Sequence, residues 1–441
     1  MRFPFFKVMI TIEELHQLFK KNPLITTDSR NVIKGSIFFG LKGDTFDGNK
    51  FAIEAINQGC VAAIVDDKSI LHDKCYCVNN VLAALQNLAN LHRIILGLRV
   101  IGITGTNGKT TTKELINAVL SQKYKVYATK GNLNNHIGVP LTLLSLTKDI
   151  NIAIVEMGAN HPGEIALLSS IAEPDYGIIT NIGKAHLEGF GSFEGVKNTK
   201  GELYKHIAEN NGCVIYNPEN EILLDLIKKY RLENKSIPYG VGLTKAEINR
   251  NSKSPFLNVD IELDDDENTS MTINTNLIGV YNFENVLAAI TVGLFMNVPI
   301  ELIKTALENY SPSNSRSQLV KTNKNEVILD AYNANPSSME VAIKNFALFE
   351  NPNKVVIIGE MLELGEYSIE EHKRISELVK SYKFSKIIFI GQSFKRFSDE
   401  VLFFSDSKQC VSYLIDNPLQ NKLILLKGSR GVRLEIVMEQ L

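Results

Sequence analysis

The 441 residues carry 47 basic and 49 acidic side chains, a net charge of −2, with 44% hydrophobic and 22% charged residues. That is the balance of a soluble globular chain; it leaves no basic field for nucleic acid, and the length exceeds one core and implies about three domains. No run approaches ~18 uninterrupted apolar residues, so no membrane span is expected, and five scattered cysteines argue against a disulfide framework.

The opening Met1–Ile10 is apolar but includes Arg2, Pro4 and Lys7, and it is too short for a signal h-region with a cleavage site. Residues 1–97 then alternate strands (Ser36–Leu41, Ala62–Val65, and one carrying Cys75 and Cys77) with amphipathic helices (Ile12–Lys20, Phe51–Gln58, Val81–Leu91).

The second block, 98–311, opens with its most informative segment. The apolar run Val100–Thr104 leads into Gly105-Thr106-Asn107-Gly108-Lys109-Thr110-Thr111, and a helical pattern follows over Lys113–Ser121. Strand, glycine loop and helix in that order wrap a polyphosphate: backbone N–H groups face the phosphates, the lysine pairs with them, and a threonine hydroxyl can ligate Mg2+. The loop is a variant, because Ile103 stands where the usual pattern has its first glycine. A nucleoside triphosphate is the expected fuel, and a cytoplasmic location follows from where that fuel is found.

Strands at Lys125–Ala128, Ile152–Glu156, Tyr176–Asn181 and Gly212–Tyr216 alternate with helices at Gly163–Ala172, Phe193–Asn210 and Asn220–Tyr230. The alternation predicts an α/β fold with a parallel sheet covered on both faces. Glu156 ends its strand at the edge where such sheets bind ligands, which makes it a candidate Mg2+ ligand rather than a plain surface carboxylate. His186 falls near the same edge and reads either as a structural histidine or as a second cation ligand. Lys200, taken alone, is merely a helix lysine. Residues 236–280 break the rhythm, with the acidic run Asp264–Glu267 at a hairpin turn. The helix Asn282–Met296 closes the block, and Ser311–Ser315 reads as a linker.

From 312 to 441 the alternation returns, with strands Glu326–Ala331, Lys354–Gly359, Lys386–Ile390 and Leu423–Lys427, and helices Ser337–Phe349, Ile369–Ser381 and Arg433–Gln440. Asp330 ends the first of these strands. Lys427, Ser429 and Arg430 end the last one in a polar set suited to a carboxylate.

Together, the loop at 105–111, Asp28-Ser29-Arg30, the stretch 43–51, the segment 131–140, His186–Ser192 with Lys200-Gly201-Glu202, and the stretches 330–339 and 359–366 resemble the Mur ligases of bacterial cell-wall synthesis over essentially the whole chain. The resemblance implies three α/β domains: a UDP-sugar-binding domain (1–97), a central P-loop-type ATP-binding domain (98–311) and a Rossmann-like ligase domain (312–441) that closes on ATP and binds the incoming group. It implies ATP-driven joining of D-alanyl-D-alanine to UDP-N-acetylmuramoyl-tripeptide through an acyl phosphate, by a monomer.

By position, Lys109 and Thr110 would hold the triphosphate and its Mg2+, with Glu156 as a further ligand. His186 and a carbamylated Lys200 would hold a second Mg2+, which requires a depressed lysine pKa. Asn282 and Asn285 would lie near the adenine, Arg316 on phosphate, Asp330 on ribose, and Asn333 and Asn335 in the same cleft. Ser29, Arg30, Asp47 and Gly48 would serve the UDP-sugar, and Asn134 and Asn135 the central substrate loop. Asn49 stands where the resemblance expects histidine. His186 and Asp330 are the candidate bases for the incoming amine. Two rivals stay open at this point: a folylpolyglutamate-type ligase, against which residues 1–97 argue, and an NTP-hydrolysing switch that forms no bond.

Overall fold

The computed structural model describes residues 9–70, 72–249, 255–266, 269–313 and 315–441. Its first sheet holds four parallel strands in chain order: Ile25–Thr26, Ile37–Phe39, Ala62–Val65 and Cys75–Cys77. Helix Ile12–Lys21 starts on a capping box between Thr11 and Glu14, which satisfies two N-terminal backbone donors. Helix Val81–Leu96 is capped by Asn80 and outruns the expected end at Leu91, because its stop signal is the left-handed Gly97. Leu15, Phe19, Leu85 and Leu88 share one core with Val139, Leu143 and Val155 of the next domain. At that junction, His16 Nε2 lies 3.3 Å from His92 Nδ1, and His92 Nε2 lies 3.0 Å from the Leu146 carbonyl. All five cysteines are free.

The central sheet has six parallel strands in the order Ser236–Pro238, Cys213–Tyr216, Tyr176–Ile179, Arg99–Thr104, Ile152–Glu156, Val126–Ala128. Between Ile152–Glu156 and Tyr176–Ile179 the chain crosses from one side of the loop strand to the other, the kind of switch point at which open sheets bind ligands. The helix after the loop runs Lys109–Leu120, four residues ahead of its expected start. Thr110–Thr112 are weak helix formers, and packing of their turn against the sheet and helix Phe283–Phe295 overrides that preference. A three-stranded antiparallel sheet, Leu243–Ile248, Phe256–Leu263 and Ser270–Ile278, covers this domain's far side. Asp264–Asp266 sit at its second turn, while Glu267 lies outside the described residues.

The last sheet runs Gln318–Lys321, Glu326–Asp330, Leu423–Lys427, Lys354–Gly359, Lys386–Ile390, Leu402–Phe404, all parallel except the first. Apolar clusters pack both of its faces. The edge strands Gln318–Lys321 and Leu402–Phe404 and helix Ser407–Asp416 were not expected from sequence. The expected helix Arg433–Gln440 shrinks to Glu435–Met438, because Arg433 takes a left-handed φ of 59° that cannot continue a helix. In the linker, Ser315 is also left-handed (φ 56°), and residue 314 lies outside the described set.

Two registers align the chemistry. Thr104 pairs with Ile179 and Ile103 with Glu156 at the end of the central sheet, and Asp330 pairs with Lys427 at the end of the last. Both carboxyl edges open on one cavity of about 990 Å³.

Candidate active site

The phosphate-type loop is shaped by close approach. At Gly105 (φ 143°) a Cβ would stand 2.0 Å from Thr180 Oγ1, and at Gly108 (φ 79°) one would stand 2.6 Å from Asn285 Oδ1. The loop is pinned to the neighbouring strand end: Asn107 N donates to Asn181 Oδ1 (3.0 Å), and Thr180 Oγ1 donates to the Asn107 carbonyl (2.6 Å). Lys109 folds back over the loop and donates from Nζ to the carbonyls of Gly105 (2.8 Å) and Thr106 (3.0 Å). Burial draws its pKa down to about 8, with Arg316 acting in the same direction and Glu156 against it.

Glu156 is buried and fully engaged. Its carboxylate accepts from Thr110 Oγ1 (2.9 Å) and Asn134 Nδ2 (2.9 Å), and Lys113 Nζ lies 3.8 Å away. Lys113 is 1% exposed and also donates to the Thr129 carbonyl at 2.6 Å. Sequence reading missed Lys113, although a signal existed: it sits on the helix face that also buries Ile116 and Leu120.

Beyond the next strand, His186 has a left-handed backbone (φ 49°), lines the cavity, and meets Glu363 of the last domain through Nδ1. Lys200 lies in helix Phe193–Glu209, 2% exposed, with Nζ 5.5 Å from the centre of the Phe190 ring. It forms no ion pair with a carboxylate among the described residues. Burial lowers its pKa to about 7; the Lys109 ammonium adds to the shift, and Glu164 and Glu202 oppose it. At neutral pH a large share of this amine is unprotonated.

The last domain adds a second wall. Asp330 Oδ2 and Lys427 Nζ are 2.5 Å apart, with Lys427 2% exposed. Arg316 stacks its guanidinium 3.9 Å from the Tyr332 ring centre, and its Nε is buried without a hydrogen-bond partner. Asn335 Nδ2 crosses the cleft to Asn107 Oδ1 at 2.8 Å. Asn282 and Asn285 form a relay, Asn285 Nδ2 donating to Asn282 Oδ1 (2.9 Å) and accepting at Oδ1 from Thr112 Oγ1 (3.0 Å).

One cavity thus gathers Thr106, Asn107, Gly108, Lys109, Thr111, Asn134, Asn135, Glu156, His186, Asn282, Asn285, Arg316, Asp330, Asn333, Asn335 and Lys427. Thr110 and Lys200 stand behind its wall. So does Ser429, whose Oγ accepts from Leu362 N (3.0 Å) and donates to the Ala334 carbonyl (3.3 Å). Arg430 is exposed, its guanidinium 5.5 Å from the Tyr332 ring centre. Ser29, Arg30, Asp47 and Gly48 do not line this cavity. Arg30 forms two 2.9 Å bonds to Asp28, and Asp47 caps the turn that follows it. Asn49 is a cross-brace, its Nδ2 donating to Asp47 (2.8 Å) and Asp66 (2.7 Å).

Such a cavity, with a polyphosphate loop on one lobe and a charged pair on the other, suits an enzyme that binds a nucleotide beside a second substrate. Family models supply the class of reaction. Residues 23–117 match the Mur ligase family, catalytic domain; 103–293 the Mur ligase middle domain; and 315–430 the Mur ligase, glutamate ligase domain. The UDP-N-acetylmuramoyl-tripeptide–D-alanyl-D-alanine ligase of Bacillus subtilis (strain 168) is 35% identical over 443 residues, spanning 95% of this chain and 92% of its own. A crystal structure of MurF from Acinetobacter baumannii superposes with a TM-score of 0.85 at 30% identity, covering 97% and 98% of the two chains. MurF ligase from Thermotoga maritima in complex with ADP gives 0.82 at 27%, covering 95% and 97%. The chain belongs to the Mur ligase family and is a ligase with that family's three-domain α/β fold.

Proposed function

We propose that this ligase joins D-alanyl-D-alanine to UDP-N-acetylmuramoyl-tripeptide and converts ATP to ADP and phosphate. The observation that carries the reading is the facing of Lys109 and Glu156 on one lobe by Arg316, Asp330 and Lys427 on the other, across one cavity, with Thr110 behind Glu156. Relatives alike over 95% of the chain and named for this reaction support the substrate assignment.

A carboxylate and an amine do not condense unaided. In the proposed reaction a tripeptide carboxylate oxygen bonds to the γ-phosphorus as the β–γ bridging bond breaks and ADP leaves. The dipeptide amine then attacks the acyl carbon, phosphate departs, and the amine gives up a proton. The incoming amine has a pKa of ~7.7–8.0, so a modest base suffices, with His186 and Asp330 as the candidates. Lys109 and the loop N–H groups hold the phosphates in line, and Arg316 offsets charge as the phosphoryl group moves.

Glu156 and the Thr110 hydroxyl form an oxygen pair suited to Mg2+. No group of three or more His, Cys, Asp and Glu side chains fit to hold a metal exists among the described residues. A second ion beside His186 therefore needs oxygens from elsewhere, and Lys200 supplies them if its neutral amine bonds to CO2 and releases one proton, leaving a carboxylate-like carbamate. Bound there, Mg2+ would neutralise the facing anions and polarise the phosphoryl oxygens.

We further propose that residues 1–97 hold the UDP-sugar through Ser29, Arg30, Asp47 and Gly48, 98–311 the ATP, and 312–441 the dipeptide, with Asn134, Asn135, Lys427 and Arg430 on the substrates and Ser429, turned inward, bracing the loop behind them. Asn282, Asn285, Asp330, Asn333 and Asn335 would face the nucleoside. The chain would act as a cytoplasmic monomer; no described helix is long and apolar enough to cross a membrane. Phosphate release from ATP with the UDP-linked tripeptide should require D-alanyl-D-alanine, and release that ignores the dipeptide would favour the switch reading.

A further inference from the structure

The cavity has a wall to which the foregoing gives no role. Helix Glu164–Ala172 presents Glu164, Leu167 and Leu168 to it, and their i, i+3, i+4 spacing puts the carboxylate and both leucines on one face. Glu164 Oε2 is fixed by two backbone donors, Asn160 N (2.6 Å) and His161 N (3.0 Å). Among the described residues no hydrogen bond reaches Oε1, whose ion-pair neighbour is His161 Nδ1 at 3.8 Å. Partial burial works to raise the Glu164 pKa, but the two backbone donors, with His161 and His136 nearby, outweigh it and hold the group below the usual carboxylate range. The wall therefore offers an anchored anion with one oxygen open, beside Leu167, which is 40% exposed.

The position of this wall indicates what passes it. His136 lines the same cavity, and its carbonyl accepts from Gln86 Nε2 of the first-domain helix Val81–Leu96 (3.0 Å). Asn90 of that helix donates to the Ile171 carbonyl (3.2 Å), at the far end of helix Glu164–Ala172. Glu164 thus stands on the side of the cavity that the first domain adjoins. Its charge is also felt at Lys200, where it opposes the lowering of the lysine pKa. A substrate whose sugar sits in residues 1–97 and whose terminal carboxylate reaches Lys109 runs along this wall.

An anionic oxygen beside apolar surface suits a flexible aliphatic chain that ends in an ammonium: the methylenes lie along the leucines and the head pairs with the carboxylate. The incoming dipeptide also carries an amine, but its proposed place is the last domain, which contributes none of these groups. We propose that Glu164, Leu167 and Leu168 form a subsite for an ammonium at the end of the side chain of the tripeptide's last residue, with Glu164 as the specificity-determining group. The proposal rests on the ligase reading and on the UDP-sugar being held by the first domain.

The test is D-alanyl-D-alanine-dependent phosphate release by the full chain with UDP-linked tripeptides ending in lysine, 2,6-diaminopimelate or norleucine, the last being lysine without its ammonium. Both basic tripeptides should exceed the norleucine one in kcat/KM by about tenfold or more. Glu164→Gln, whose amide oxygen can still accept from Asn160 and His161, should bring that ratio down toward one. An unchanged affinity for a non-hydrolysable ATP analogue shows the variant to be folded. Equal use of all three tripeptides by the parent overturns the subsite. So does a preference that Glu164→Gln keeps, or a variant defect confined to the KM of the dipeptide; in each of these cases the ligase reading stands. If no tripeptide supports dipeptide-dependent release, the ligase reading itself fails and the subsite falls with it.

Discussion

Lys200 makes a claim that pH can test. Its pKa in the fold is about 7, against 10.5 for an ordinary lysine. Between these values the unfolded chain binds the extra proton, so stability should rise with pH through that window, by up to about 1.4 kcal/mol per pH unit. Below pH 7 both states are protonated and the slope vanishes. Lys200→Met should flatten this rise in denaturant titrations run free of CO2, and with 13C-bicarbonate it should lack a carbamate resonance that the parent shows. At Lys113 the question is pairing. Lys113→Met leaves Glu156 buried without its cation, and stability should fall by about 3–5 kcal/mol, read as a lowered urea midpoint. A loss under 1 kcal/mol would mean that Thr110 and Asn134 suffice to hold Glu156.

At the scale of single elements, the loop and the helix it opens behave as one unit. Gly105 and Gly97 both have positive φ, but they differ in the space around them. A Cβ at Gly105 would collide with Thr180 Oγ1, whereas nothing lies within 4 Å of one at Gly97. Gly97→Ala should therefore cost only the left-handed backbone penalty of about 1–2 kcal/mol. Gly105→Ala should force the loop out of shape and abolish nucleotide binding by calorimetry. Equal nucleotide affinity in the two variants would overturn this account of the loop. The helix behind it shows how packing overrules propensity: Thr110, Thr111 and Thr112 hid its true start, and the burial of Lys113 follows from that start.

Across the whole molecule, the cleft between the central and last domains is bridged at several points. Lys184 Nζ lies 3.0 Å from Glu371, Ser337 Oγ accepts from Lys184 N (3.2 Å), and Asn345 Oδ1 accepts from Val280 N (3.2 Å). An acyl phosphate hydrolyses readily, so water should be excluded before it forms. We expect the last domain to move about linker 311–315 when nucleotide and muramoyl substrate bind. Small-angle scattering with both ligands should then differ from the free profile, and superimposable profiles would sink the idea.

What was legible in sequence had local causes. Period-2 and period-3.6 runs bounded by glycine or cap residues placed strands such as Ile152–Glu156 and Lys354–Gly359 at their observed ends, and the loop glycines announced the phosphate cradle. Elements whose stability comes from neighbours were not legible: the edge strand Gln318–Lys321 exists because Glu326–Asp330 pairs with it. The chain by itself therefore determined the alternating α/β plan, the nucleotide loop and the family resemblance, because each is written in contiguous residues. Only the tertiary structure decided that Lys113 backs Glu156, that Asp330 pairs with Lys427, that Ser429 is turned inward, and that Glu363 crosses a cleft to His186. Those pairings join residues tens to hundreds of positions apart, and sheet register and domain docking, which no local pattern encodes, bring them together.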